Sequence, residues 1–251
     1  MFEFVVIVES AADFRTASEI ANRICTEQIG WIEPYLTSIF KWVGLQNNTE
    51  FSCWRDIDKI REEAKANGIH LPRSLGRAQP LKADGAIARK TLQLITQLQR
   101  KRDIRAVVFV RDLDNQVERR TSLEEAREEY AQRFSSLMVV IGLANRMREA
   151  WVLNGFLPLD KVEESILAEL QQKLLFDPTL EAHRLRATTL EEPERIRNPK
   201  VVLNLLTKED SERERHCWQS TPLDLLRTRG STTGLTQYMN EVKERLAPLL
   251  R

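Results

Sequence analysis

Residues 104–114 read IRAVVFVRDLD, an apolar run rich in β-branched residues that ends on Asp112 and Asp114. A second run of this kind, FVVIV at residues 4–8, ends on Glu9. Such runs are typical of strands buried on both faces of a parallel sheet. Because open α/β sheets bind ligands at the edge where parallel strands end, the three carboxylates are expected to meet there. They need a counter-charge, and a hard divalent cation that keeps some of its water is the usual one.

Strands and helices alternate along the first part of the chain. Ser10 is expected to cap a helix after the first strand, Asp84 a second helix, and Ser122 a third through a capping box. LMVVIGL at residues 137–143 predicts another buried strand. Since parallel neighbours need helical crossovers, this order favours an α/β fold with a doubly wound, mostly parallel sheet and helices on both faces.

Two regions depart from this alternation. Residues 28–83 are rich in aromatic residues and are interpreted as an insertion that covers one edge of the sheet, ending in a loop through Pro72, Gly76 and Pro80. Residues 157–251 predict a mostly helical C-terminal region packed on the 1–156 domain. Its helices are expected from about Asp160 to Leu174, at 201–206, from Thr221 to near Gly230, and at 234–246.

Composition narrows the functional classes. The chain has 251 residues, with 38 Lys plus Arg against 37 Asp plus Glu, so nucleic acid would have to be bound by local patches and not by a global field. Its three cysteines are isolated, which indicates a reducing compartment and no zinc site. No run approaches the roughly 20 apolar residues of a membrane span. The start of the chain also lacks the basic residues of a signal peptide, and a cytoplasmic protein is expected.

The order of the acids resembles the Toprim (topoisomerase–primase) catalytic domain. That family has a glutamate after the first strand, Asp-x-Asp after a later one and a further acid after the next, which match Glu9, Asp112, Asp114 and Glu149. The stretch VESAAD at residues 8–13 is similar to the family's opening signature. Arg-Glu-Ala-Trp at 148–151 and NPKVVL at 198–203 resemble small stand-alone Toprim proteins of bacterial defence and mobile loci, relatives of the overcoming-lysogenisation-defect nucleases. The resemblance covers residues 1–16 and 104–156, and the tail loosely.

Two positions depart from the family pattern. Toprim domains usually have glycine after the strand glutamate, where the chain turns tightly, and Ser10 cannot cheaply take a positive φ. The lysine that some nuclease relatives use near the scissile phosphate is absent after Ile141. Arg146 or Arg148 would supply a fixed positive charge in its place, without a lysine's ability to lose a proton.

The resemblance implies a catalytic set of four acids and a Mg²⁺- or Mn²⁺-dependent endonuclease. Asp112 and Asp114 would anchor the metal, Glu9 would bind a second ion or move a proton, and Glu149 would complete the shell. Glu149 is equally explained by the preference for acids in a first helical turn. Asp13 is interpreted as a helix-turn residue, and Trp151 as a core or lid residue.

The implied partners are nucleic acid, expected to be DNA, and a separate ATPase of the ABC type. Weak backbone contacts are expected from Arg146, Arg148, Arg184 and Arg186. The chain lacks a Gly-x-x-x-x-Gly-Lys-Ser/Thr loop, so an ATP-driven switch would come from that partner in an anti-phage or mobile-element defence system. The alternative is a Toprim scaffold that has lost catalysis and binds the ATPase. Haloacid-dehalogenase phosphatases, receiver domains and dinucleotide-binding domains have a different order of motifs.

Overall fold

The β-branched runs form the centre of a parallel five-stranded sheet in a computed structural model that describes residues 1–71, 83–114, 116, 118–134 and 136–251. The strands are β1 (Phe2–Val8), β2 (Phe40–Val43), β3 (Ser52–Cys53), β4 (Ile104–Asp112) and β5 (Met138–Ala144). Their order is β2-β1-β4-β5, with β3 also paired to β1. All of these pairings are parallel. The predicted α/β fold with a parallel sheet is thus confirmed, whereas its Toprim-specific details stay a prediction.

The 28–83 region supplies the edge of the sheet beside β1. Strand β2 pairs with Phe2–Val5, and β3 pairs further along with Ile7 and Val8. The indole of Trp54, directly after β3, donates a hydrogen bond to the Val110 carbonyl at 2.7 Å. The predicted insertion therefore extends the sheet by strand pairing and is tied to the end of β4. Its loop through Pro72, Gly76 and Pro80 lies outside the described residues.

Helices cover both faces of the sheet, as predicted. The alternating side chains of β1 divide between two cores, with Phe4, Val6 and Val8 on one face and Val5 and Ile7 on the other. The first core is covered by α1 (Ala11–Gln28), α6 (Arg148–Asn154) and the C-terminal helices. The second is covered by α3 (Ile57–Ala66), α4 (Ala83–Leu98) and α5 (Glu118–Ala131). A short α2 (Leu36–Ile39) precedes β2.

Two of the predicted helix starts are wrong. Helix α5 already begins at Glu118, so Ser122 lies inside it and its hydroxyl donates to the Arg119 carbonyl at 3.0 Å. Asp84 lies in the first turn of α4 and is buried, and its side chain contacts arginines from other elements. Serine and aspartate both favour helix starts. Here, however, the Ser122 hydroxyl bonds to a carbonyl of its own helix, and the Asp84 carboxylate pairs with arginines of other elements.

The C-terminal region is helical, as predicted. It contains α7 (Lys161–Leu174), α8 (Pro199–Thr207), α9 (Ser211–Gln219), α10 (Leu223–Arg229) and α11 (Leu235–Glu241), followed by a π-helical turn at Val242–Leu246. Helix α9 was not predicted. The helix predicted at 234–246 is α-helical only as far as Glu241 and then continues as the π-helical turn. Among the described residues there is no helix long and apolar enough to cross a membrane.

The C-terminal region packs directly against β5. Gly234 has φ +85°, and a Cβ atom there would lie 2.0 Å from the Leu143 carbonyl oxygen, so only glycine fits this approach. Tyr238 stacks on Trp151 with 5.2 Å between ring centroids, and its hydroxyl donates to the Ala17 carbonyl at 2.9 Å. Trp151 is fully buried, in agreement with its prediction as a core residue. These contacts fix α6, which carries Glu149, against the end of the sheet.

Candidate functional site

Four predicted or neighbouring acids line one cleft at the carboxyl edge of the sheet. Glu9 follows β1, Asp112 ends β4, and Asp13 and Glu149 lie in the first turns of α1 and α6. The cleft has a volume of about 560 Å³ and is closed on its far side by residues of α8 and α9. Asp114 lies beside it, in a small adjacent cavity, and its charge raises the pKa of Glu9. The order of the motifs in the sequence therefore predicted correctly that the ends of β1 and β4 lie together.

Asp112 is the electrostatic centre of this group. Its pKa is raised to about 9, first by burial and then by the charges of four further acids: Asp13, Glu9, Glu149 and Asp114. Its Oδ1 accepts one hydrogen bond from the backbone N–H of Arg148, at 3.0 Å. A carboxylate surrounded by like charges needs a cation or a proton to be stable.

Asp13 belongs to this group, although the sequence favoured a helix-turn residue over a ligand at this position. It is buried, and among the neighbouring charges it has the largest effect on the pKa of Asp112. Ser10 orients it, because the serine hydroxyl donates to Asp13 Oδ2 at 2.7 Å and accepts from the Asp13 backbone N–H.

The backbone at Ser10 removes one difficulty that the sequence raised. Its φ of −151° and ψ of 169° are extended, so the turn after Glu9 does not need glycine. Serine here caps α1, which also has its buried residues Ala17, Ile20, Ala21 and Ile24 at helical spacing. The departure from the family pattern is therefore accommodated without strain.

Two arginines and Asp84 form a chain of ion pairs that sequence reasoning missed. Arg111 Nη1 lies 2.6 Å from Glu9 Oε1, and its Nη2 lies 3.5 Å from Asp84 Oδ1. Arg119 Nε lies 3.1 Å from Asp84 Oδ2, and its Nη1 lies 3.0 Å from Asp114 Oδ2. The position of Arg111 within the Asp-x-Asp strand was visible in the sequence, but nothing there connected Asp84 to it.

Glu9 has an unusual acceptor atom. Its Oε1 is buried and accepts no hydrogen bond, because the nearby Arg111 nitrogen does not direct an N–H towards it. Burial raises the pKa of Glu9, the charge of Arg111 lowers it, and the charges of Asp13 and Asp114 raise it. Arg111 Nη1 nevertheless lies 2.6 Å from this oxygen, so a proton or a cation would reach Oε1 only after that side chain moves.

The donor set fits a hard divalent cation, but the side chains are not gathered around one point. All candidate ligands are carboxylates, which Mg²⁺ and Mn²⁺ prefer. Within the described ranges, no group of three or more His, Cys, Asp or Glu residues has an arrangement that could hold a metal ion. Glu9 and Asp114 are instead turned towards Arg111 and Arg119. The predicted Mg²⁺ or Mn²⁺ site therefore stays a prediction, and filling it would require these side chains to move.

Arg148 links three helices around the cleft. Its Nη1 donates to Thr16 Oγ1 at 3.0 Å on α1, and its Nη2 lies 2.7 Å from Glu214 Oε2 on α9. The guanidinium is almost completely buried, so its visible role is to position α6 and Glu149. The sequence instead suggested that it contacts nucleic acid.

Lys200 on α8 was not foreseen and lines the same cleft as the acids. It lies in the NPKVVL segment and is exposed, and no carboxylate of the described residues forms a salt bridge with it. An ammonium group without an ion-pair partner can bind a phosphate oxygen.

The other predicted arginines divide into two kinds. Arg184 pairs with Glu181 at 3.0 Å and stacks on the ring of Phe176, so its charge is used locally. Arg146 and Arg186 line the small cavity that also contains Asp114. Together with Arg148, which lines the cleft itself, three of the four predicted arginines therefore lie next to the acidic group.

Comparisons of the chain with protein-family models, with curated proteins and with solved structures gave no match. The Toprim resemblance therefore rests on the order and placement of Glu9, Asp112, Asp114 and Glu149.

Proposed function

We propose that the protein is a metal-dependent nuclease that hydrolyses nucleic-acid phosphodiester bonds, with DNA as the expected substrate. The observation that carries this proposal is Asp112, whose pKa is raised by crowding and by four further acids at the carboxyl edge of a parallel sheet. Such an arrangement is unfavourable without a bound cation, and strongly perturbed acids in a cleft are typical of functional sites.

The residues suggest separate roles. Asp112 and Asp114 would hold Mg²⁺ or Mn²⁺, with Glu149 completing the site. When bound, such an ion neutralises phosphate oxygens and makes water a better nucleophile. Glu9 would accept or deliver a proton, a role that its raised pKa supports. Lys200 would bind a phosphate oxygen of the substrate across the cleft.

The decisive experiment is cleavage by the Glu9→Gln variant. We expect the cleavage rate to fall by at least about 10²-fold, the scale of one acid–base group, with an unchanged melting temperature. The assay is nicking of supercoiled plasmid and cutting of single-stranded DNA with Mn²⁺. Glu50→Gln, at an exposed position, is the matched control and should cut like wild type. Equal cutting by wild type and Glu9→Gln would remove Glu9 from the mechanism.

Metal binding is tested without catalysis by thermal denaturation. Mn²⁺ should raise the melting temperature of the wild type, because it binds the folded state. The Asp112→Asn/Asp114→Asn variant should lose this shift. A shift of unchanged size in the double variant would place the metal elsewhere.

A scaffold that has lost catalysis is the second candidate, and one observation favours it. Glu9 and Asp114 are already neutralised by arginines, which a purely structural acidic group would also need. Absence of cutting by the wild type, with and without an ABC-type ATPase that it binds, would favour this function. The ATPase partner, the defence role and the cytoplasmic location stay proposals that follow from the sequence.

A further inference from the structure

Arg146 and Arg186 lie together beside the acidic cleft. They line one small cavity with Asp114, Thr188 and Pro199, whose neighbour Lys200 lines the cleft itself. Arg146 keeps only 8% of its surface exposed, although it carries a charge that is costly to bury. The cavity therefore continues the surface of the cleft with two positive charges.

These two charges lack a local partner. Nowhere in residues 1–71, 83–114, 116, 118–134 and 136–251 does a side chain form a salt bridge or hydrogen bond with either guanidinium. Asp114, which lines the same cavity, is paired with Arg119 at 3.0 Å. Arg146 and Arg186 line the same cavity, so their two positive charges repel each other. An anion between them would remove this repulsion.

The backbone holds Arg146 in this place at some cost. Its φ of +83° is in the left-handed region, which is strained for a residue other than glycine. The Arg146 carbonyl accepts a hydrogen bond from the Asp114 N–H at 3.2 Å, so the turn after β5 is fixed to the Asp-x-Asp loop. The arginine thus has a set position relative to the acids.

We propose that Arg146 and Arg186 form a subsite for a backbone phosphate of a nucleic-acid strand that runs from the acidic cleft past Asp114. The choice of a nucleic-acid strand rests on the proposed nuclease function. The subsite would bind a phosphate next to the reacting one and set the register of the strand, as backbone contacts do in nucleic-acid complexes.

The test measures binding of fluorescein-labelled 20-nucleotide DNA, single-stranded and duplex, by anisotropy in EDTA. Arg186→Gln and Arg146→Gly should each weaken binding about 3- to 10-fold and lower the salt dependence by about one phosphate contact. Glycine suits the φ of Arg146, so Arg146→Gly should keep the wild-type melting temperature while it loses affinity. Arg100→Gln, which removes an exposed charge at the opposite edge of the sheet, should bind like wild type.

The outcomes separate this subsite from the nuclease function. Binding that depends on both arginines, in a protein that never cuts, supports the subsite and contradicts the nuclease. Cutting by a protein whose DNA affinity is unchanged in both variants overturns the subsite alone. The subsite is also overturned if Arg100→Gln weakens binding equally, if wild type binds no nucleic acid, or if inorganic phosphate competes as tightly as the oligonucleotide.

Discussion

At the scale of single residues, Asp112 shows how neighbours change an ordinary side chain. Its pKa is raised from 3.8 to about 9, first by burial, which removes water from the carboxyl group, and then by the charges of Asp13, Glu9, Glu149 and Asp114. The folded protein therefore holds a proton on Asp112 over a pH range in which the unfolded chain releases it. Since the native state binds more protons there, the contribution of Asp112 to stability falls as the pH rises from about 4 to about 9.

Asp112→Asn should remove this loss of stability with rising pH. We compare the melting temperatures of the variant and the wild type in EDTA. The difference, variant minus wild type, should increase by about 3 °C or more between pH 5 and pH 9. In a chain of this length, about 3 °C corresponds to roughly 1 kcal/mol. Asp103→Asn, at a half-exposed position on the opposite edge, is the control and should show a constant difference. A difference for Asp112→Asn that does not change with pH would contradict the raised pKa.

At the scale of elements, β4 supplies side chains to both sides of the sheet edge. Arg111 and Asp112 point to opposite faces because side chains alternate along a strand. Asp112 therefore enters the cleft, whereas Arg111 reaches Asp84 on α4, which also binds Arg119 of α5. Asp84 of α4 thus binds both arginines that pair with Glu9 and Asp114, and it acts as a positioning residue.

Asp84→Asn should weaken both the fold and the proposed metal site. The variant leaves two largely buried arginines without a shared carboxylate, and we expect a stability loss of about 2–4 kcal/mol. Arg111 and Arg119 should then hold Glu9 and Asp114 more tightly, so the Mn²⁺ affinity measured by titration should fall about tenfold. Asp58→Asn, which breaks the exposed pair with Lys90, is the control and should change neither quantity much. Unchanged Mn²⁺ affinity in Asp84→Asn would contradict the positioning role.

At the scale of the whole molecule, the C-terminal helices support the site from outside the Asp-x-Asp region. Gly142 of β5 lies under the ring of Tyr238, and a Cβ atom at Gly142 would approach the ring to 2.7 Å. The same ring stacks on Trp151, two residues after Glu149. A larger side chain at Gly142 should therefore disturb β5, α6 and α11 together.

Gly142→Ala should destabilise the protein by about 1–3 kcal/mol through overpacking. Adding Tyr238→Leu should cost less in Gly142→Ala than in the wild type, because the smaller side chain relieves the clash; denaturant titration of the four proteins measures this coupling. Gly30→Ala is the control, since a Cβ atom there meets nothing within 4 Å. Additive effects of the two substitutions would contradict a rigid contact.

The sequence by itself determined the elements that local patterns encode. β-branched runs gave β1, β4 and β5, and the order of strands and helices gave the parallel sheet with both faces covered. Because parallel strands end at one edge, the order of the motifs also predicted that Glu9 and Asp112 would meet. Helix starts at Ser10 and Asp160 followed from capping chemistry.

Only the tertiary structure decided which residues complete the site and what they contact. Asp84 and Lys200 come from helices far along the chain, and no local pattern records which side chains a fold brings together. The alternative roles of Arg146 and Arg148 were equivalent in sequence, yet Arg148 lies in an internal ion pair with Glu214. Local rules act over a few residues, whereas burial and charge pairing depend on the packing of the whole chain.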